Sequence, residues 1–468
     1  MKYLKGTPFV SAFDNSLDAF LPEQWAMEGI AILMENMVAA NLVHRDFEPL
    51  FAKYGDVVNT RKPAEFKGTR KTDSDDVTVQ DASATNVAVP LDQHVHVSFL
   101  IRDGEETKAF KNLVDEYLRP AAIAMARFTD QIVLGQVYQF LANQAGGIGS
   151  LTASNAVQLI TNVREVLNVN KAYMDNRSLI LTPTAETQVL QNPTFHQAYL
   201  VGDGGTALEN ASLGRKLGFN TFMAQNMSSV NGQMTTQVGA VNNVGGYATG
   251  TTVLAVDVFS VSGPLAGQWV TISSDSTGDF PLSYHITAVN ASPATQITLE
   301  YGLSQAATDD AVIKAYPTGL VNNIGGYAAG YSKSISIDTF TNGGPTVGQL
   351  VTFGTDLDRY TVLQTDGSTY MVLDRPLFLA VSDDEQVNLG PAGNFNFAFH
   401  RNALTLVIRP LALPRAGVGA ISGFANFNGL TMRTVITYDG NAQGHLVTMD
   451  YLAGIKVLDT NLGAVLET

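Results

Sequence analysis

The chain contains no cysteine. Disulfides, thiolate metal sites and cysteine nucleophiles are therefore excluded, and folding in a reducing cytosol fits. Charge is also scarce, at 15% of residues, and base is scarcer than acid: 28 Lys and Arg stand against 43 Asp and Glu, a formal net charge of -15. That balance argues against the whole chain acting as a nucleic-acid binder, because phosphate affinity comes largely from Lys and Arg. No apolar run reaches the ~18 residues a membrane helix needs. The opening "MKYLKGTPFVSAFDNSLDAFLPEQW" lacks the apolar core of a signal peptide, so a soluble, unsecreted chain is expected. Also missing are the G-x-S-x-G elbow, the H-E-x-x-H zinc motif and the G-x-x-x-x-G-K-[ST] phosphate loop. An enzyme would have no recognisable mechanism, and no catalytic residue, cofactor or metal is expected.

What remains is a 468-residue chain, 45% apolar, long enough for two to four compact units. Over 12–43, Trp25, Ile30, Leu33, Met34, Met37 and Val38 recur at helical spacing, with Asp14, Asp18, Glu23, Glu28 and Glu35 among them. Such acids form either a solvated face or a docking site for a basic partner helix. Lys53, Arg61, Lys62, Lys67, Arg70 and Lys71 then meet an opposite block, Asp73, Asp75, Asp76 and Asp81. With strand-like "VTVQ" and "VHVSFLIRD", residues 56–102 read as a long two-stranded excursion that must lean on something, a neighbouring subunit being the economical choice. A long helix is expected over 105–142, kinked or divided at Pro120 and stopped by "NQAGGIGS". From 151 to 228 helix and strand signals alternate in an α+β pattern, with "TAETQVLQNP" a short helix opened by Thr184. "HVH" places His94 and His96 on one strand face beside Asp92, but without a defined third and fourth ligand they read as surface histidines; His400 and His445 are isolated. "GGIGS" is a poor dinucleotide match.

After 238 the chain turns to Gly, Thr, Val and Ser, and it repeats itself. "VNNVGGY" at 241–247 returns as "VNNIGGY" at 321–327, and 255–272 aligns without a gap on 336–353 with eight of eighteen positions matching. Chance gives roughly one, so a tandem duplication is expected. The matched pairs include Asp257/Asp338, Gly267/Gly348, Gln268/Gln349 and Val270/Val351. Each copy is expected to be a small β-barrel or sandwich, with the repeated phrase as its entry turn.

The stretches "NFAFHRNALTLVIRPLALP" (396–414) and "MRTVITYDGNAQGHLVTMDYLAGIKVLDTNLGAVL" (432–466) resemble the coat proteins of tailed phages of the P22 type. The resemblance spans nearly the whole chain and is sharp in the last ~75 residues. It implies an α+β fold of the Hong Kong 97 type: N-terminal arm (1–55), extended loop (56–102), spine helix and part of the peripheral domain (103–149) and apical domain (150–237 and 381–431). The two β modules (238–318 and 319–380) would be inserted, and 432–468 would close the peripheral domain. It further implies a major capsid protein that self-assembles through hexamers and pentamers into an icosahedral shell enclosing double-stranded DNA without binding it specifically. Scaffolding and portal proteins would be partners, with assembly in the host cytoplasm and residence in the virion. Intersubunit contacts are expected at Arg61, Lys62, Lys67, Arg70, Lys71, Asp73, Asp75 and Asp76, and scaffold contacts at Asp14, Asp18 and Glu23. The alternative is an adhesive or decorating protein with tandem β modules; a hydrolase without a motif is a third reading.

Overall fold

The computed structural model describes residues 21–45, 57–62, 68–71, 73, 76, 85–102, 117–197, 211, 213–227, 229–230, 236–258, 264–291, 294–331, 333–340, 343–354, 359–391, 393–415, 420–427 and 430–468. It divides into two compact units. One comprises Met1–Asn36, His94–Ala126 and Ile408–Leu452; the other comprises Met37–Gln93, Arg127–Val407 and Ala453–Thr468.

In the first unit the helix Leu21–Asn36 lies on the strands Ala420–Phe427 and Leu430–Asp439. Ala26, Ile30 and Leu33 are buried at the three- and four-residue spacing of an amphipathic helix. Close approach is possible because residue 29 is glycine: a Cβ there would stand 2.3 Å from Cε of Met432. Trp25, Phe99 and Tyr117 stack in series, with centroids 6.5 and 5.6 Å apart. Leu430–Asp439 and the start of Gly444–Val457 form a hairpin in register from Asp439↔Gly444 to Arg433↔Asp450. Its turn is held by the Asn441 amide, which donates to the Asp439 carboxylate at 2.9 Å. The strand Gln93–Arg102 joins Gly444–Val457. "VHVSFLIRD" is therefore part of a sheet rather than of the two-stranded excursion expected from sequence; its alternating burial, with Val95 in and His94 and His96 out, is that of a strand with one covered face.

The second unit is built on a mixed sheet. Its strands run in the order Gln144–Gly146, Gly463–Glu467, Gly393–His400, Arg177–Leu181, Phe219–Met223 and Arg215–Lys216, with Ser229–Val230 also paired to Gly393–His400. Arg177–Leu181 is buried at all five positions, as befits a central strand covered on both faces. The helix Ala156–Val169 supplies Leu159, Ile160, Val163 and Leu167 to the core formed with Leu179, Leu181, Ala398 and Leu466. The helix Pro183–Leu190 is capped by Thr182, whose hydroxyl accepts from the Ala185 amide at 3.3 Å, and not by Thr184. Pro183 takes the first helical position, where its missing donor costs nothing, so the cap falls at Thr182, two residues before Thr184. Of the helix expected over 105–142, residues 103–116 lie outside the described residues. Pro120 stands in the first turn of Arg119–Gly135, which tightens into a 3-10 segment over Gln136–Asn143. Tyr138 and Phe140 pack on Phe395 and Phe397 at 5.4 and 4.9 Å.

From Thr236 to Gly390 the chain makes two closed six-stranded barrels. The first uses Thr236–Val241, Val253–Val258, Trp269–Ile272, Leu282–Val289, Gln296–Leu299 and Val312–Ala315; the second uses Thr318–Val321, Ile335–Asp338, Leu350–Phe353, Tyr360–Thr365, Tyr370–Leu373 and Gln386–Gly390. The sixth strand of the second barrel thus lies past residue 380. In each barrel the first strand pairs with the second and sixth, the second with the fifth, the fifth with the fourth, and the third with the fourth and sixth. Both carry a register shift at the same place, between Ile286 and Ala288 and between Val362 and Gln364. The repeated "GQ" explains itself: Gly267 and Gly348 have φ of 80° and 85°, and the side-chain oxygens of Gln268 and Gln349 accept from the amides of Leu265 and Thr346, both at 3.1 Å. Only Tyr316 and Pro317 separate the barrels. The Tyr316 amide donates to Trp269 O at 3.1 Å and the Leu389 amide to Pro317 O at 3.2 Å, so the junction is bonded to both sides.

Candidate intersubunit surface

The strands Val57–Lys62 and Thr85–Pro90 pair antiparallel from Val57↔Pro90 to Lys62↔Thr85. They form a two-stranded ribbon with no third strand among the described residues. Among the described residues neither strand has a second strand on its outer edge, the kind of edge that can pair with another chain. The root is anchored by buried Val89 and Leu91. Arg61 and Lys62 lie on the first strand, and Arg70, Lys71, Asp73 and Asp76, between the strands, are exposed. Lys67 and Asp75 fall outside the described residues, as do Asp14 and Asp18; Glu23 is on the helix Leu21–Asn36.

Beside the ribbon's root, within the second unit, a cleft of about 590 Å³ opens between Pro90, Gln93, Ile132, Gln136, Tyr360 and Phe378. Phe378 is 71% exposed at its lip, although its amide donates to the Tyr360 hydroxyl at 2.9 Å. The walls include an ion pair, Arg375 to Asp374 at 3.1 Å, whose guanidinium lies 5.8 Å from the Tyr360 ring centroid. Such a site can hold an apolar side chain against a polar wall. It presents no paired nucleophile and base.

Sequence reasoning missed a buried polar seam in the same unit. Arg359 of the second barrel pairs with Glu300 of the first and lies 5.7 Å from the Trp269 ring centroid. His285 Nδ1 stands 3.2 Å from the same Glu300 carboxylate. Burial alone would raise the Glu300 carboxyl, but the nearby His285 ring and the charge of Arg359 hold it below the usual range. Glu467 has the opposite fate. It is fully buried and accepts from the Ser283 amide at 3.2 Å, Oε1 has no partner, and burial pushes the carboxyl up to about 8. Asp130 accepts from the amides of Val38 and Ala40 at 2.8 and 3.0 Å, and burial pushes it up to about 6. These groups hold segments together, and their only sequence signal is a lone charge within an apolar strand or helix.

The histidines do not gather. His94 and His96 have ring centroids 5.7 Å apart, and His94 Nε2 lies 3.4 Å from Asp450, which Arg433 already grips with Nε at 2.7 Å. No group of three potential metal ligands occurs among the described residues. "GGIGS" is a backbone brace: the amides of Gly147 and Ile148 donate to Glu467 O and Pro281 O, both at 3.0 Å. No helix among the described residues is long and apolar enough to cross a membrane.

No protein-family model and no curated protein matches the chain. Several solved structures are similar to it. One from Mycobacterium phage Che8 is 13% identical, covering 92% of this chain and 90% of that one with a TM-score of 0.44. The capsid structure of the cyanophage P-SCSP1u is 9% identical over 88% and 84%, TM-score 0.40. The mature capsid of bacteriophage PhiM1 is 8% identical over 89% and 83%, TM-score 0.40.

Proposed function

We propose that the chain is the major capsid protein of a tailed phage, a non-enzymatic subunit that assembles with copies of itself into an icosahedral shell around double-stranded DNA. The observation that carries this reading is the ribbon: Val57–Lys62 and Thr85–Pro90 bond to each other and to no other strand among the described residues, with Arg70, Lys71, Asp73 and Asp76 exposed between them. Two edges without a further strand among the described residues and a charged excursion suit an element laid across a neighbour. The resemblance of 396–414 and 432–466 to phage coat proteins supplies the kind of neighbour. Each exposed ion pair is worth only ~0–1 kcal/mol, so the shell's strength lies in many copies and in apolar burial, to which the cleft beside Phe378 contributes. The Hong Kong 97 architecture, the scaffolding and portal partners, the role of Asp14, Asp18 and Glu23 in scaffold docking, and assembly in the host cytoplasm all belong to this proposal. An acidic chain also lines a container from which DNA must be able to leave.

Reversing Arg61, Lys62, Arg70 and Lys71 to Glu tests it. Electron microscopy and sedimentation of the parent chain should give shells or capsomer rings, and the variant should lose them about tenfold or more while its monomer melts at the parent temperature. Solitary parent monomers at high concentration, or equal damage to monomer and assembly, would overturn the reading.

A further inference from the structure

The repeated phrase is spelled out twice in hydrogen bonds as well as in letters. Asn243 and Asn323 donate through Nδ2 to the carbonyls of Gly246 and Gly326, at 2.6 and 2.5 Å. Their own amides donate to Asp309 and Asp383, both at 2.8 Å. Gly246 and Gly326 have φ of 63° and 67°, and a Cβ on either would strike a carbonyl oxygen at 2.6 or 2.3 Å. The hydroxyls of Tyr247 and Tyr327 accept from the amides of Ala255 and Ser336 at 2.9 and 2.8 Å. Val241 and Val321 are both fully buried. One position has no such duty. Val244 and Ile324 are 94% and 95% exposed at the tips of these braced turns.

We propose that Val244 and Ile324 are a pair of contact points for a protein surface that carries an apolar pocket ringed by Lys and Arg. A polar residue would serve the turn equally well and would sit better in water. Both copies keep a branched aliphatic there, although only eight of the eighteen aligned positions that follow agree. The partner's charge is set by the neighbouring turns: Asp309 and Asp310 flank the first tip, Asp383 and Asp384 the second, and Asp310 and Asp384 share the left-handed backbone, φ 62° and 58°. The segments 241–251, 303–311, 321–331 and 377–385 contain no Lys or Arg. Rigid turns lose little entropy on binding. This inference stands whether or not the chain builds a shell.

The test uses the full chain with labelled Ile and Val methyls, titrated with a soluble peptide of alternating Leu and Lys. The Val244 and Ile324 signals should move, and binding should weaken about tenfold in Val244→Ser/Ile324→Ser and measurably in Asp310→Asn/Asp384→Asn, where Asn tolerates the same backbone. Unchanged melting of the variants confirms their fold. Equal binding of a Leu/Glu peptide or of oligolysine, or no loss in the Ser variant, would overturn the proposal. So would loss of self-association in that variant without loss of peptide binding, which would make the occupant a second copy.

Discussion

The two barrels share strand order, register shift and turn, yet equivalent positions do different work. The Glu300 amide donates to His285 O at 3.0 Å and the Asp374 amide to Thr361 O at 2.9 Å, so the two acids occupy one place in the scaffold. Glu300 is met by His285 and by Arg359 from the other barrel, whereas Asp374 accepts from the Thr361 amide at 2.8 Å and pairs with its chain neighbour Arg375. Trp269 packs on Gly390, whose added Cβ would meet the ring at 2.4 Å; Leu350 stands where the second barrel would have its tryptophan. Ser304 and Phe378 both send their amides to a buried tyrosine hydroxyl, Tyr284 or Tyr360, but only Phe378 brings an exposed ring. The copies keep what closes a barrel and diverge at the seam between them and at the cleft beside Phe378.

The largest way to break this comparison is to empty both cores. Tyr284→Ala and Tyr360→Ala should each cost about 3–5 kcal/mol, since both rings are fully buried and each hydroxyl holds an amide. Chemical denaturation followed by barrel-specific probes would read it, and strongly unequal costs would mean that the barrels are not energetic equivalents. A middling effect should come from the ion pairs. Arg359→Leu leaves Glu300 and His285 facing each other in a covered seam and should cost about 2–3 kcal/mol, while Arg375→Leu, whose side chain is 26% exposed, should cost about 1 kcal/mol or less. The difference between the two melting curves is the value of bridging the barrels.

A further effect depends on pH. The folded Glu467 carboxyl lies near 8 against an ordinary 4.5, so the folded state binds the extra proton. Its contribution is fully present below about 4.5 and is lost as pH rises through about 8. Glu467→Gln should remove that slope, matching the parent near pH 4.5 and melting a few degrees higher near pH 9. Parallel melting profiles of parent and variant across this range would refute it.

Legibility from sequence followed the range of the interactions. The barrels were legible because duplication prints local turn chemistry twice: Gly267 and Gln268 act within a few residues of their own position. The helix Leu21–Asn36 declared itself by periodicity, whereas the ribbon strands Val57–Lys62 and Thr85–Pro90 did not stand out, and "VTVQ", read as a strand, lies outside the described residues. The strand Gln93–Arg102 misled because alternation says that one face is covered without saying by what, and its partner lies some 350 residues away. The seam of Glu300, Arg359, His285 and Glu467 was illegible for the same reason: each is an ordinary residue until folding brings the others beside it.

The two-residue junction at Tyr316 and Pro317 has a mechanical meaning. A proline has one backbone rotation fewer than other residues, and here its carbonyl is held by Leu389 while the preceding amide is held by Trp269. With Arg359 spanning the same gap, the two barrels are tied at the junction by backbone bonds and by charge, so a pull on one would be resisted at more than a single covalent link.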